Sequence, residues 1–121
     1  MAADLEISTN RGAIADVIRV EGEVDLTNAD VLDQSLSKAL RTSRPIIADL
    51  SRLSFIDLRG TAVLETVGRR AQEDGQQFIV VGSEPHIHRL FSIIQLHRRI
   101  HVVGTIDEAL AFLQDQVNGS G

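Results

Sequence analysis

Apolar residues recur along this chain with two periods, and the changes between them mark out the elements. Leu5 and Ile7 alternate with Glu6 and Ser8. After the turn residues Asn10, Arg11 and Gly12, a run from Ala13 to Glu21 carries Ile14, Ile18 and Val20 on one face. Two alternating runs joined by turn residues predict an antiparallel hairpin. Asp16 shares the nominal face of Ile14 and Ile18, which implies either a bulge or a sheet end open to water.

Beyond Gly22-Glu23-Val24-Asp25-Leu26 the period lengthens. Ala29, Leu32, Leu36 and Leu40 recur at three and four, with Asp30, Asp33, Gln34, Ser37 and Lys38 between them, the stripe of a helix lying on a core. Thr27 is placed as its N-cap, with Asp30 three residues on. The helix is expected to reach about Arg41 and to stop before Pro45, which disfavours helical backbone in the residue preceding it.

The stretch from Pro45 to Ala71 predicts strand, turn and helix. Ile46, Ile47, Ala48 and Leu50 are a nearly continuous apolar run, as in a strand covered on both faces, and Val63, Leu64, Val67 and Ala71 return to helical spacing. Phe55-Ile56-Asp57-Leu58-Arg59-Gly60 between them delivers a helix start to the surface. Gly75 is a natural C-terminal cap. Phe78 to Val81 is a second buried strand, and so short a strand-helix-strand connection implies a parallel pair. Ser83 is placed to cap a third helix, with Pro85 in its first turn and Ile87, Phe91 and Ile94 inward. A last strand, Ile100 to Val103, leads to Thr105-Ile106-Asp107-Glu108, a capping box that opens a helix with Ile106, Ala109, Leu110 and Leu113 inward. The fold expected is one small α/β domain, a mixed sheet of about five strands with about four helices. Its core spans about residues 5–117, and Asn118-Gly119-Ser120-Gly121 form a tail of linker composition.

Composition narrows the function classes. The chain has 121 residues, large enough for a core without staples, and no cysteine, which removes thiol chemistry and cysteine-built zinc sites. Its net charge is -5, with no Trp or Tyr and four Phe. Such a chain has neither the positive field nor the aromatic platform of a nucleic-acid binder. No stretch resembles a signal peptide, and apolar runs of about five residues fall far short of the roughly 20 that span a bilayer. A soluble, cytoplasmic protein with no membrane segment is expected.

Candidate chemistry is sparse. His86, His88, His97 and His101 lie close in sequence, but His86 and His88 are two apart on a predicted helix, whereas a helical metal pair needs three or four. A solvated face, made basic by Arg89, Arg98 and Arg99, explains them better. Asp25, Asp49 and Asp57 sit at strand ends or turns without a nucleophile, a Gly-x-Ser-x-Gly elbow or a phosphate-binding glycine loop. No catalysis and no cofactor are expected. Asp57 suits an N-cap. Gly60, in the first turn of the same helix, costs on the order of 1 kcal/mol relative to Ala and implies close approach, most simply by the Gly22 to Asp25 segment. Leu58 and Arg59 form a plausible contact patch.

These residues together resemble the STAS family, the domain of bacterial anti-sigma factor antagonists that also forms the cytoplasmic part of sulfate transporters. The matching pieces are Gly22-Glu23-Val24-Asp25-Leu26, Ala48-Asp49-Leu50-Ser51, Phe55-Ile56-Asp57 with Gly60, Val80-Val81-Gly82 before Ser83-Glu84-Pro85, and Glu108-Ala109-Leu110. The resemblance implies a protein-binding switch that docks on an anti-sigma factor of the histidine-kinase-like ATPase fold, through the end carrying the second helix's start. The residues carried over as the partner-binding site are Asp25, Asp57, Leu58, Arg59, Gly60 and Thr61. In the family the kinase silences the antagonist by phosphorylating a serine directly after the aspartate matching Asp57. Here that position is Leu58, which cannot accept phosphate, and the nearest downstream hydroxyl is Thr61. Two readings follow: an antagonist that phosphorylation cannot silence, or a regulatory module that binds a nucleotide or other anion near Arg59 and the helix start. A homo-oligomer is compatible with either.

Overall fold

The computed structural model, which describes residues 4–82 and 84–119, has five strands and four helices among them, alternating after an initial pair of strands. In chain order they are β1 (Leu5–Arg11), β2 (Asp16–Val24), α1 (Ala29–Leu40), β3 (Ile46–Ile56), α2 (Leu58–Glu73), β4 (Phe78–Val81), α3 (Pro85–Ile93), β5 (His101–Val103) and α4 (Ile106–Gly119), with a 3-10 turn at Leu96–Arg98. The strands lie in the sheet in that same order. β1 pairs antiparallel with β2 and every other pair is parallel, the mixed sheet the periodicity predicts.

The layers follow from which strand positions are apolar. On one face Ile18, Val20, Ile46, Ala48, Leu50 and Leu53 pack under Leu32 and Leu36 of α1, Leu64, Val67 and Ala71 of α2, and Ile87 and Phe91 of α3. On the other, Ile47, Ile79 and Val81 are covered by Ala109 and Leu113 of α4. β3 is buried on both faces from Ile46 to Leu50 because helices cover both.

Past Leu50, β3 runs six residues further than its apolar run indicates, and its buried residues, Leu50, Leu53 and Ile56, fall three apart. Two register shifts against β2, between Arg19 and Glu21 and between Gly22 and Glu23, produce this spacing. Gly22 has φ of +106°, and a Cβ there would sit 2.2 Å from the Asp4 carbonyl oxygen, so the second irregularity needs glycine.

Some local expectations change. Asp16 is neither on a bulge nor open to water: it is buried, and the Arg44 Nε lies 2.9 Å from its Oδ1 while the same guanidinium donates to the Gly12 carbonyl. Burial of a carboxylate there is tolerated because its counter-charge comes from the β3 approach, 28 residues on. The N-cap of α1 is Asn28 and not Thr27, Leu40 is half-buried, and Ala39 takes the inward place. Glu84 caps α3, its carboxylate accepting from the His86 and Ile87 amides at 2.9 and 3.1 Å, whereas Ser83 lies outside the described residues. β5 begins at His101, with Ile100 buried just before it. Gly75 does end α2 with φ of +68°, and the box at Thr105 and Glu108 does open α4, the Glu108 amide donating to Thr105 Oγ1 at 3.0 Å. The tail expected at 118–121 falls partly outside the described residues.

Candidate functional site

The last register pair of β2 and β3 joins Val24 to Ile56, and the Asp57 amide donates to the Val24 carbonyl at 3.0 Å. Two chain segments therefore leave the sheet side by side, each with an aspartate as its first residue. Asp25 folds its segment into a turn: its Oδ1 accepts from the Thr27 amide at 2.8 Å and from the Thr27 hydroxyl, while Asn28 Oδ1 accepts from the Asp25 amide at 3.0 Å. Asn28 Nδ2 donates back to the Glu23 carbonyl at 2.9 Å and locks the turn to β2. The Thr27 hydroxyl, and then its amide, hold the Asp25 carboxyl below the usual aspartate range. A carboxylate depressed in this way contributes to stability above its unfolded-state pKa, and that contribution goes as pH falls through its folded value.

Asp57 does the same for the second segment. Its backbone is extended and its Oδ1 accepts from the Gly60 amide at 3.1 Å, the N-cap of α2 that the sequence predicts. Asp57→Ala is expected to cost about 1 kcal/mol of unfolding free energy through the lost cap, read as a lowered urea midpoint at unchanged m-value. Unchanged stability with impaired binding would assign Asp57 to the contact surface instead.

With the cap in place, the first turn of α2 divides into buried and exposed residues. Gly60 is buried, and a Cβ there would lie 2.5 Å from Ile56 Cγ1 and 2.8 Å from Val24 Cγ1. The close approach is thus the Gly22 to Asp25 segment, as expected, joined by Ile56. Thr61 is 2 % exposed and its hydroxyl donates to the Leu58 carbonyl at 2.9 Å. These two residues of the predicted partner-binding set are therefore buried in this conformation. The Thr61 hydroxyl is likewise withdrawn from a kinase. Leu58, by contrast, is 65 % exposed, Arg59 is exposed, and Leu26 on the neighbouring segment is 64 % exposed.

Behind Leu58 the surface is concave. A groove of about 360 Å³ runs between the end of β3 and α3, lined by Phe55, Asp57 and Leu58 on one side and by His86, Ile87 and Leu90 on the other. Phe55 is 47 % exposed there. Sequence reasoning missed Phe55, Leu26 and the α3 wall. The one available signal was an aromatic and a leucine left off the inward positions at the junction.

The remaining candidates disperse. Asp49 is buried, 3.7 Å from the Arg19 guanidinium and accepting from the Ser51 amide at 3.0 Å, so only Asp25 and Asp57 of the three carboxylates share one end. His86 lines the groove, His88 and His97 line a separate pocket of about 130 Å³, and His101 stacks on Phe112 with ring centroids 3.9 Å apart. Among the described residues, no group of three or more His, Asp or Glu is arranged to hold a metal, and no helix is long and apolar enough to cross a membrane.

Compared with known proteins, the chain matches the STAS domain over residues 5–109. An anti-sigma factor antagonist from Mycobacterium paratuberculosis superposes with a TM-score of 0.86 at 24 % identity, over 93 % of this chain and 96 % of that one. The Bacillus cell fate determinant SpoIIAA in its phosphorylated form superposes at 0.63 with 24 % identity, over 93 % and 99 %. The murine anion transporter Slc26a9 matches at 0.73 and 21 %, over 87 % of this chain and 18 % of the transporter. At these identities the likeness is one of fold.

Proposed function

The chain belongs to the STAS domain family, and from that membership we propose that it is an anti-sigma factor antagonist acting by protein-protein contact and not by catalysis. The partner is an anti-sigma factor of the histidine-kinase-like ATPase fold, which places the protein in the bacterial cytoplasm and its effect in transcription. The observation that carries this reading is Leu58. It is the first residue of α2, 65 % exposed, in the position where the resemblance puts the phosphorylated serine. An exposed leucine beside an apolar groove supplies a desolvating anchor. Without a hydroxyl it leaves the partner kinase nothing to modify there.

The alternative, a nucleotide or anion at the start of α2, has less support. That helix start already holds the Asp57 carboxylate on the Gly60 amide, and a second negative group beside it would be repelled.

The test is capture of the purified protein on the anti-sigma kinases of its own cell, followed by incubation with radiolabelled ATP. The complex is expected to form and to persist without label on the antagonist. Failure to bind any such kinase would sink the reading, and label on Thr61 would show that a switch survives.

A further inference from the structure

We propose that the outer edge of β1 is a self-association surface, where two copies of this chain join their sheets by antiparallel pairing of β1 with β1. The hydrogen bonds of the hairpin fix which groups are available. The Glu23 amide donates to the Asp4 carbonyl at 2.9 Å, and the Gly12 amide to the Ala15 carbonyl at 3.0 Å. In an antiparallel pair, hydrogen-bonded and non-hydrogen-bonded positions alternate. Glu6, Ser8 and Asn10 therefore bond inward to β2, while Leu5, Ile7, Thr9 and Arg11 each turn an N–H and a C=O outward. Among the described residues, nothing pairs with these outward groups. The edge is also unprotected. β1 runs seven residues without Pro or Lys, whereas the opposite edge strand, β5, has only three residues.

The occupant follows from the symmetry of the strand itself. Its outward residues are centred on Ser8, so a second β1 running the other way sets Leu5 against Arg11 and Ile7 against Thr9 of the second copy, and Ser8 against Ser8. Every outward N–H and C=O then has a partner. A shift of two residues either way leaves Leu5 or Arg11 past the end of the facing strand. Charge selects the same direction. Asp4 and Glu6 stand at the start of β1 and Arg11 at its end, all exposed, and among the described residues none of them is in an ion pair. Arg11 lies across from Asp16 of β2, but that carboxylate is held by Arg44. Antiparallel pairing brings Arg11 of each copy between Asp4 and Glu6 of the other, whereas parallel pairing sets like charges together. In this arrangement α1 of both copies lies on the same face of one continuous sheet. The two ends that carry Leu58 point in opposite directions, and both stay open.

Sedimentation velocity of the full chain from roughly 5 to 500 µM covers weak self-association, the class expected of a single strand pair between copies of net charge -5. Monomer at the low end and dimer at the high end are expected. In amide hydrogen exchange over the same range, Leu5, Ile7, Thr9 and Arg11 should slow with concentration, while Glu6, Ser8 and Asn10 stay as they are. Thr9→Pro removes one outward N–H from each copy, a change that an edge strand tolerates. It should weaken association about twenty-five-fold, at roughly fivefold for each of the two bonds lost. Arg11→Glu should also weaken it, and Glu6→Arg added to that variant should restore most of the loss. Unchanged melting temperatures would show that the variants fold; if Thr9→Pro melts early, the Arg11 and Glu6 exchange decides. Monomer at the highest concentration overturns the proposal. So does a dimer in which the amides of Leu5, Ile7, Thr9 and Arg11 exchange unchanged, or one indifferent to Arg11→Glu. A dimer lost in Leu58→Asp and kept in Thr9→Pro puts the contact at the groove and overturns it as well.

Discussion

Leu58→Asp should weaken binding to the anti-sigma kinase by about 2 to 3 kcal/mol, the range of a central interface anchor, while leaving the melting temperature unchanged. Both halves of this expectation follow from the position. Leu58 is exposed and contributes little to the core, so its removal opens no cavity. An aspartate in the first turn of a helix is also favoured by the amide dipoles there, which offsets its repulsion from the neighbouring Asp57 carboxylate, so the fold has little reason to loosen. The same charge placed against a docked partner must be desolvated without a counter-ion, and it stands where the family resemblance puts a phosphate. Calorimetric titration beside a thermal melt would check it. A parallel fall in melting temperature would make Leu58 a structural residue, and undiminished affinity would move the docking surface elsewhere.

Two residues on, the expectation reverses. Gly60→Val should lower stability by about 3 kcal/mol, the upper part of the range for overpacking a filled site, and the melting temperature by roughly 10 °C for a domain of this size. Helix propensity argues the other way, since leaving glycine gains up to about 1 kcal/mol. The steric term is larger. The first atom added would already lie 2.5 Å from Ile56 Cγ1 and 2.8 Å from Val24 Cγ1. Valine adds two methyl groups to that contact, and Ile56 and Val24 are the last pair holding β2 to β3. Any loss of partner binding in this variant should track the unfolded fraction. A variant with undiminished stability would mean that α2 can move off the sheet at its first turn.

How much of this was legible beforehand depended on whether one residue's environment is set by its sequence neighbours. The helices and the parallel strands were legible because each carries its own period, and the Asp57 cap because the cap and the amide it satisfies lie three residues apart. Asp16 was not, because the group that makes its burial tolerable is Arg44, across a helix and a turn. The length of β3 was obscured by the register shifts, which replace a two-residue alternation with the three-residue spacing of Leu50, Leu53 and Ile56. At the candidate site, Leu58 and Arg59 were recognisable as surface residues at a helix start. The burial of Gly60 was foreshadowed by its cost to the helix, whereas that of Thr61 was not, since nothing in its sequence neighbours marks it as inward. Of the groove, only the off-pattern Phe55 left a trace in the sequence, since its walls, Phe55 and Leu90, come together only through the order of strands in the sheet.

That order also leaves the two faces of the sheet unequally held. Three helices anchor one face, and Val24, Ile56 and α2, on which the proposed docking end rests, pack on that side. Among the described residues, α4 is the one helix on the other face, its buried anchors being Ala109 and Leu113, with Ala15 beside them. Amide hydrogen exchange should therefore resolve α4 as a separate unit of lower protection than β3. Its opening would bare Ile47, Ile79 and Val81 to solvent while Leu58, Arg59 and the groove keep their shape. The segment expected to open most readily and the surface proposed to bind would then lie on opposite sides of the same sheet.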